Sequence, residues 1–296
     1  MMDSNKPLYI GIDGGGTKCS AVLFNANKEV IGRGISGPAN ASRDLAQTLD
    51  SILKSVRLAL IDAQLSIDTI SRIQVAAGLA GANTPEIKER LLAWDHPFAC
   101  FKVDCDLTTA SYGSHGGNDG ALLIVGTGSA AARFQSGTLS TFGGHGFILG
   151  DKGSGAWLGR SAVASTLEAL DGVIPISALH DRVLTCLSVT TSVELMQKMI
   201  LATSGQFATL APEVIDFAKQ KDISALALVE EAAVYLDKLC MRTLQHTDLS
   251  LVLMGGLASS FEPLFRPELR ARIVKAKAGP ERGALYLLEP HLPMLG

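Results

Sequence analysis

Short apolar runs separated by turn residues open the chain. Runs at residues 8–13, 20–25 and 30–36 are separated by the turn-forming segments DGGGTK and NANK, and this pattern predicts three strands in an antiparallel meander. Apolar residues then recur at intervals of three and four from Leu45 to Leu60. That period predicts an amphipathic helix after the meander.

Strands and helices alternate over the next part of the chain. An apolar run at 72–80 is followed by a short helical pattern at 86–93 and by another apolar run at 100–106. Alternation of this kind favours an α/β fold with a partly parallel sheet.

A second meander begins near the middle of the chain. Runs at 121–125, 130–135 and 138–142 repeat the opening order of strand, glycine-rich turn with a threonine, second strand, turn and third strand. Two such units in one chain predict an internal duplication, with two related domains that face each other.

Helical patterns dominate residues 161–243, after which a strand is predicted at 249–254 and a short helix at 282–289. We therefore predict an N-terminal domain of residues 1–105, completed by a C-terminal helix at about 281–296, and a C-terminal domain of residues 106–280 with a helical insertion.

Composition excludes several classes of protein. The chain has 296 residues, of which 47% are hydrophobic and 19% charged, and this excludes a disordered chain. Lys and Arg number 26 against 29 Asp and Glu, so no basic surplus indicates nucleic acid or an anionic membrane as a partner. Mean hydropathy is high at +0.26, but the most apolar stretches are far shorter than a membrane span.

The N-terminal residues show no secretion signal, and the five cysteines include no CxxC pair. Buried thiols in a reducing compartment are the expected state of such cysteines, so we expect a cytoplasmic protein.

The first glycine-rich turn has the residues of a phosphate-binding hairpin. Glycines there permit positive φ and let the backbone approach a ligand, while consecutive N–H groups form a concavity suited to phosphate. A strand-end carboxylate can hold Mg²⁺ through water, and a hydroxyl can contact a phosphoryl oxygen. No helix follows the turn, so it is neither a P-loop nor a Rossmann motif. The candidate residues are Asp13 for the metal and Gly14, Gly15, Gly16, Thr17 and Lys18 for the nucleotide.

Two further glycine-rich turns follow strands. One is Gly126-Thr127-Gly128-Ser129, at the equivalent point of the second meander, and together the two hairpins could grip one polyphosphate. The other turn contains Gly255, Gly256 and Ser260, where an adenosine could lie flat. Each turn alone is often a plain turn, but three in this order predict nucleotide binding.

The order DGGGT, GTGS, MGG resembles the phosphate 1, phosphate 2 and adenosine segments of the sugar kinase, Hsp70 and actin superfold. Within it the chain is similar to the N-acetylglucosamine kinase and BadF/BadG ATPase group. Bacterial glucosamine kinases share its HPF run at 96–98, the segment GDKGSG at 150–155 and GQF at 205–207. The resemblance implies an α/β fold of the actin-like ATPase, ribonuclease H-like type, duplicated into two domains around a nucleotide cleft. Dimers are common in that family, so the resemblance is also compatible with a homodimer.

The resemblance implies a kinase that uses ATP and Mg²⁺ to phosphorylate O6 of glucosamine or N-acetylglucosamine, and that closes on its substrates to exclude water. Asp106, at the end of FKVDCD, matches the catalytic aspartate of the family and is the expected general base. Asp104 is its competitor, because it lies two residues back on the same face of the strand. A solvated strand end or a helix cap is the alternative for either residue.

Substrate contacts are implied by the same resemblance. Asn40 and Asp151 match residues that bind sugar in the family, and Gly144 lets the backbone approach the ring with His145 beside it. Gly78, in a small-residue turn after a strand, forms a further wall of the sugar site or packs tightly against a neighbour.

Two alternatives share the fold. The activators of 2-hydroxyacyl-CoA dehydratases hold an iron–sulfur cluster with two cysteines per subunit, and Cys100 and Cys105 are the nearest pair here. The other alternative is a sugar sensor without catalytic activity, which loss of the general base would indicate. Asp106 is present.

Overall fold

The computed structural model describes residues 6–289. The strands are β1 (Leu8–Gly14), β2 (Cys19–Phe24), β3 (Val30–Ser36), β4 (Ile73–Leu79), β5 (Cys100–Cys105), β6 (Gly120–Val125), β7 (Ser129–Gln135), β8 (Thr138–Gly143), β9 (Leu251–Met254) and β10 (Ile273–Val274). The helices are α1 (Leu45–Asp62), α2 (Pro85–Leu92), α3 (Asp106–His115), α4 (Gly155–Leu170), α5 (Ala178–Leu187), α6 (Ser192–Met199), α7 (Ser204–Ala208), α8 (Ala211–Lys219), α9 (Ile223–Thr243), α10 (Ala258–Phe261), α11 (Pro267–Arg270) and α12 (Pro280–Leu288), with 3₁₀ turns at Ile67–Arg72 and Glu262–Leu264.

The first sheet has the order β3-β2-β1-β4-β5. β1, β2 and β3 pair antiparallel, whereas β4 is parallel to β1 and β5 is parallel to β4. The meander and the partly parallel sheet that the hydrophobic pattern predicts are therefore both present. Parallel pairing brings the carboxyl ends of β1, β4 and β5 to one edge of the sheet, where ligand-binding residues of α/β proteins collect.

The second sheet repeats this arrangement, with the order β8-β7-β6-β9-β10. Three consecutive strands lie side by side, and β9 and then β10 add in parallel next to β6. Each strand thus has a counterpart in the first sheet, and the predicted α/β duplication is confirmed.

Each sheet packs against helices to form its own core. In the first unit the buried side chains of β1, β2 and β4 meet the buried face of α1, where Ile52, Val56 and Leu60 are fully buried. Burial of each such side chain contributes about 1.5–3 kcal/mol. α1 begins where the Asp44 carboxylate accepts a hydrogen bond from the N–H of Gln47. In the second unit the core lies among the second sheet and the helices α4, α5, α8 and α9.

The chain divides into two units, Met1–Gly120 with Phe134–Leu139 and Lys275–Gly296, and Ala121–Arg133 with Ser140–Val274. The predicted boundary after residue 105 thus falls inside the first unit. The physical reason is the packing of α3 against α12: a Cβ on Gly283 would lie 1.9 Å from the carbonyl oxygen of Thr109. Residues 290–296 of the predicted last helix lie outside the described residues.

Candidate active site

The turn after β1 is a hairpin that leads straight into β2. The N–H of Gly15 donates to the carbonyl of Lys18 at 2.9 Å and closes it. Asp13 is half-buried just before the turn. Burial is the main cause that raises the pKa of Asp13 to about 7. The negative charges of Glu281 and Asp106 add to this shift, and the Lys18 ammonium opposes it. Asp13 therefore lies within electrostatic reach of the predicted base.

Two aspartates at the end of β5 have different surroundings. The Asp104 carboxylate accepts hydrogen bonds from Lys88 Nζ at 2.7 Å, the Cys105 N–H at 2.7 Å and Thr108 Oγ1 at 2.9 Å. Burial opposes its ionisation, but these donors, Lys88 first, lower the pKa of Asp104. A carboxylate held in this way is a poor proton acceptor.

Asp106 is the first residue of α3, so the predicted strand at 100–106 ends one residue earlier than expected. Among the described residues, the one donor to its carboxylate besides its own backbone is the N–H of Leu107, at 2.9 Å. Burial raises the pKa of Asp106. Asp106 is thus the less engaged and the more basic of the two aspartates.

Asp13, Gly78 and Asp104 lie in register on β1, β4 and β5. Gly78 packs closely against α3. A Cβ at this position would lie 1.8 Å from Thr109 Oγ1, so the glycine lets α3 approach β4. Of the two interpretations of Gly78, the structure supports tight packing.

Asn40 pairs with Ala80, the residue that follows β4. Its side-chain oxygen accepts from Ser42 Oγ at 2.9 Å and from the N–H of Arg43 at 3.3 Å. These contacts orient the amide so that its NH₂ group, which has no acceptor among the described residues, is available as a donor. A hydroxyl ligand would suit it.

In the second unit the predicted loops adjoin one another. The carbonyl of Gly126 accepts from the N–H of Gly155 at 2.8 Å, and that of Thr127 accepts from the N–H of Ala156 at 3.1 Å, so the loop lies on the first turn of α4. The N–H of Leu257 donates to the carbonyl of Val125 at 3.0 Å. The turns at 126–129 and 254–257 therefore form one continuous surface.

Gly255 has a φ of 93°, which only glycine adopts readily, and a Cβ would lie 2.3 Å from the carbonyl oxygen of Val125. Ser260 lies on the short helix α10 that follows, where its N–H donates to the carbonyl of Leu257 at 3.0 Å. This turn is thus held closely against the end of β6.

Three glycines of the predicted nucleotide turns have open space where a side chain would project: Gly16, Gly126 and Gly256. None of them has φ in the left-handed region. Neither packing nor backbone conformation requires glycine there, and the open space leaves room for close approach of a ligand. Gly14 differs, because a Cβ would lie 2.5 Å from Leu79 Cδ2. Close packing is therefore sufficient to require glycine at this position.

Asp151 lies against the turn at 126–129. Its φ is 56°, and its carboxylate accepts from the N–H of Gly146 at 3.2 Å and from the N–H of Ser129. A Cβ on Gly128 would lie 2.8 Å from Asp151 Oδ2, so Gly128 makes room for this carboxylate. Burial raises the pKa of Asp151, and the charge of His145 opposes the shift.

The loop that carries Asp151 is anchored on both sides. Phe147 packs against Phe207, with ring centroids 5.3 Å apart, and this contact explains the GQF segment. On the other side Lys152 forms an ion pair with Glu231 at 2.6 Å. Gly144 has a φ of 68°, and its N–H donates to the carbonyl of Ser129 at 3.1 Å. His145 is exposed beside it.

Glu281 is a charged residue near Asp13 that the sequence patterns did not reveal. It lies in the first turn of α12 and accepts a hydrogen bond from Ser20 Oγ at 2.7 Å. Ser20 lies directly opposite Asp13 in the β1–β2 pair. A glutamate after the first proline of a helix indicates only a helix start, so no sequence signal pairs it with Asp13.

The donors near Asp13 suit Mg²⁺ held through water. Carboxylate oxygens are the ligands that Mg²⁺ prefers, and it binds through one or two of them together with substrate phosphates. Within residues 6–289, no group of three or more His, Cys, Asp or Glu side chains could enclose a metal ion. Asp13 fits such a partial site, with the remaining ligands supplied by water and the nucleotide.

Residues 10–285 match the BadF/BadG/BcrA/BcrD ATPase family, and the chain belongs to this family. It is 30% identical over 279 residues to the glucosamine kinase GspK of Vibrio cholerae, with 94% of each chain covered. It is 28% identical over 251 residues to an N-acetyl-D-glucosamine kinase of Dictyostelium discoideum, covering 79% of this chain and 78% of the relative.

The fold is also that of a solved relative. The crystal structure of a putative N-acetylglucosamine kinase from Chromobacterium violaceum matches with a TM-score of 0.90 at 30% identity, covering 97% of this chain and 100% of the other. Together with the two equivalent sheets, this similarity confirms the predicted actin-like α/β fold class.

Cys100 and Cys105, the candidate pair, do not lie together as ligands of one cluster. Cys100 and Cys105 lie at opposite ends of β5, about 16 Å apart at the usual rise per residue. Burial raises the pKa of Cys105 and disfavours the thiolate that binds iron. Separately, none of the helices in residues 6–289 is both long enough and apolar enough to span a membrane.

Proposed function

We propose that the protein is an ATP-dependent amino-sugar kinase that transfers the γ-phosphoryl group to O6 of glucosamine or N-acetylglucosamine. The observation that carries this proposal is the contrast at the end of β5. Asp104 accepts from three donors, one of them a lysine, whereas Asp106 keeps more free acceptor capacity and has a raised pKa. A carboxylate of this kind suits a general base, whose pKa is best placed nearer the working pH.

In the proposed reaction Asp106 accepts the proton of the sugar O6 hydroxyl as that oxygen bonds to the γ-phosphorus. The bond between the γ-phosphorus and the β–γ bridging oxygen breaks, and ADP leaves. Such transfers depend on positioning and charge neutralisation more than on covalent chemistry. The raised pKa of Asp106 strengthens it as a base once it is ionised.

Nucleotide binding is assigned to the glycine-rich turns of both units. The backbone near Gly16 and Gly126 would contact the phosphates, and that near Gly256 the adenosine, because these three positions leave open space for a ligand. Lys18 adds positive charge close to Asp13. Asp13 would hold Mg²⁺ through water, and the ion would neutralise charge on the phosphates.

Sugar binding is assigned to Asn40 and Asp151, with Gly144 and His145 beside Asp151 in the same loop. The free NH₂ group of Asn40 and the carboxylate of Asp151 offer a donor and an acceptor for hydroxyls. The two relatives named above act on glucosamine and on N-acetylglucosamine, and the bacterial one favours glucosamine here. A cytoplasmic location and a homodimer also remain our predictions.

A coupled ADP-release assay tests the proposal. Purified protein with ATP and Mg²⁺ is offered glucosamine, N-acetylglucosamine, glucose and N-acetylmannosamine in turn. We expect ADP release that depends on an amino sugar, with a 6-phosphate as product by NMR. ADP release indifferent to every sugar would contradict the kinase, and a phosphate on another hydroxyl would contradict the O6 assignment.

A further inference from the structure

An ion pair lies beside the turn that carries Asp106. Lys88, on α2, contacts Asp104 Oδ2 at 2.7 Å, and the lysine and aspartate side chains are 38% and 29% exposed. Exposed ion pairs contribute little to stability, with a median of about 0–1 kcal/mol. The Lys88–Asp104 ion pair is therefore expected to add little to the stability of the first unit.

The second oxygen of Asp104 holds the start of α3. Asp104 Oδ1 accepts from the N–H of Cys105 and from Thr108 Oγ1, and thus bridges the residue before the helix and its first turn. Asp106 lies between these two anchored residues. Its position depends on a carboxylate that is itself held by a cation from another helix.

We propose that Asp104 and Lys88 are positioning residues for Asp106, and that Asp104 is not an alternative base. Lys88 fixes Asp104, and Asp104 fixes the first turn of α3, which sets the direction of the Asp106 carboxylate. This inference rests on the proposed role of Asp106. It also accounts for a second carboxylate two residues from the base, because the Lys88 charge compensates it.

The contact on the other side of Asp106 supports the same role. Thr109 Oγ1 donates to the Asp106 carbonyl at 3.1 Å and packs against Gly78. The backbone of Asp106 is therefore held from both sides, while its carboxylate keeps free acceptor capacity. A misplacement of about 1 Å in a reacting group can cost about 100-fold in rate.

Four variants separate the contacts. Asp104→Asn retains an acceptor for Cys105 and Thr108 but loses the ion pair, and Lys88→Met removes the same pair from the other side. Asp104→Ala removes every contact, while Lys88→Arg restores a cation. Lys54→Met is the matched control, because Lys54 forms a comparable ion pair with Asp50 on α1 at 2.7 Å.

We expect Asp104→Ala to lower kcat about 100-fold. Asp104→Asn and Lys88→Met should each lower kcat about tenfold. The double variant should lose no more rate than either single variant, because both changes remove the same ion pair. KM for ATP and the melting temperature should remain close to wild type in all of them. Lys88→Arg should recover most of the rate lost in Lys88→Met. Amide hydrogen exchange at residues 105–109 should accelerate in Lys88→Met and not in Lys54→Met.

Other results would overturn the proposal. If Asp104→Ala kept the wild-type kcat, the anchor would be irrelevant. If Asp104→Asn lost as much rate as Asp106→Asn, Asp104 would be the base. Failure of the proposed function is seen separately, as a wild type without sugar-dependent ADP release. In that event, unchanged hydrogen exchange in Lys88→Met would also show that Lys88 and Asp104 do not hold the start of α3. Faster exchange would show that they hold it, but their role in catalysis would be rejected.

Discussion

Gly78 and Thr109 are in such close contact that a Cβ on the glycine would lie 1.8 Å from the threonine hydroxyl oxygen. Thr109 also donates to the carbonyl of Asp106, so this contact sets how closely α3, the helix that begins with Asp106, approaches the sheet.

Gly78→Ala should therefore displace the start of α3. We expect a loss of about 1–3 kcal/mol in stability from overpacking, together with a lower kcat. Urea unfolding and initial-rate assays measure the two effects. Gly205→Ala is the control, because its nearest neighbour would be 3.8 Å away. A Gly78→Ala variant with wild-type stability and rate would show that α3 is not held by this contact.

Asp106→Asn should leave ATP and sugar binding nearly unchanged and lower kcat by about 100-fold to 10,000-fold, because general base catalysis accounts for a factor of that size. Steady-state rates and calorimetric binding of both substrates measure this. The side chain keeps its shape and its acceptor for the Leu107 N–H. Full activity in Asp106→Asn would remove it from the role of base.

Gly256→Ala and Gly14→Ala should fail in different ways. The added Cβ of Gly256→Ala enters open space, so KM for ATP should rise while the melting temperature stays. In Gly14→Ala the Cβ would lie 2.5 Å from Leu79, so the melting temperature should fall. Thermal melts and ATP titrations of both variants decide this. An unchanged ATP KM in Gly256→Ala would contradict a nucleotide contact there.

Asp151→Asn should raise the sugar KM far more than the ATP KM. Asparagine tolerates the left-handed backbone at φ 56° and still accepts from the Gly146 N–H, so the loop should keep its shape. Titrations of each substrate at saturating levels of the other measure the two constants. If the ATP KM rose more than the sugar KM, Asp151 would instead be assigned to the phosphate turn, where Gly128 lies against it.

Buried His180 should make stability depend on pH. Its Nδ1 accepts from the Ser177 N–H at 3.0 Å, which protonation would prevent, and its Nε2 lies 3.0 Å from Ser165 Oγ. Burial lowers the pKa of His180 below 6.5, against the charges of Asp222 and Asp181.

The unfolded chain therefore binds this proton more readily, so stability is complete above about pH 6.5 and is lost as the pH falls through the folded pKa. His180→Gln keeps an acceptor for the capping box, and its melting temperature between pH 5 and 7 should change less than that of wild type. Equal slopes for His180→Gln and wild type would contradict this assignment.

The sequence predicted those features that depend on neighbouring residues. Hydrophobic period and turn residues place β3 correctly at 30–36 and the other predicted strands to within about two residues, whereas the two-residue strand β10 was not predicted. The repeated order of strands also predicts the duplicated sheets. These signals are local, because the period of apolar residues and the preferences of turn residues act over a few positions.

What the sequence left unresolved depends on contacts between distant residues. Gly14, Gly78 and Gly128 are predicted ligand-binding residues, and the sequence does not indicate that each also leaves room for a side chain from elsewhere in the chain. The ion pair of Lys88 with Asp104 links a helix to a strand, and no residue pattern in either one indicates it.

The last helix has a consequence for how the chain is made. The carbonyl oxygen of Glu281 would lie 1.6 Å from a Cβ on Gly11, so α12 covers the middle of the first strand. The second unit's residues 140–274 are synthesised between these two partners. During synthesis on the ribosome, one apolar face of the first sheet therefore stays uncovered until the second unit and then α12 have emerged. During that interval the nascent chain exposes the kind of surface that chaperones bind.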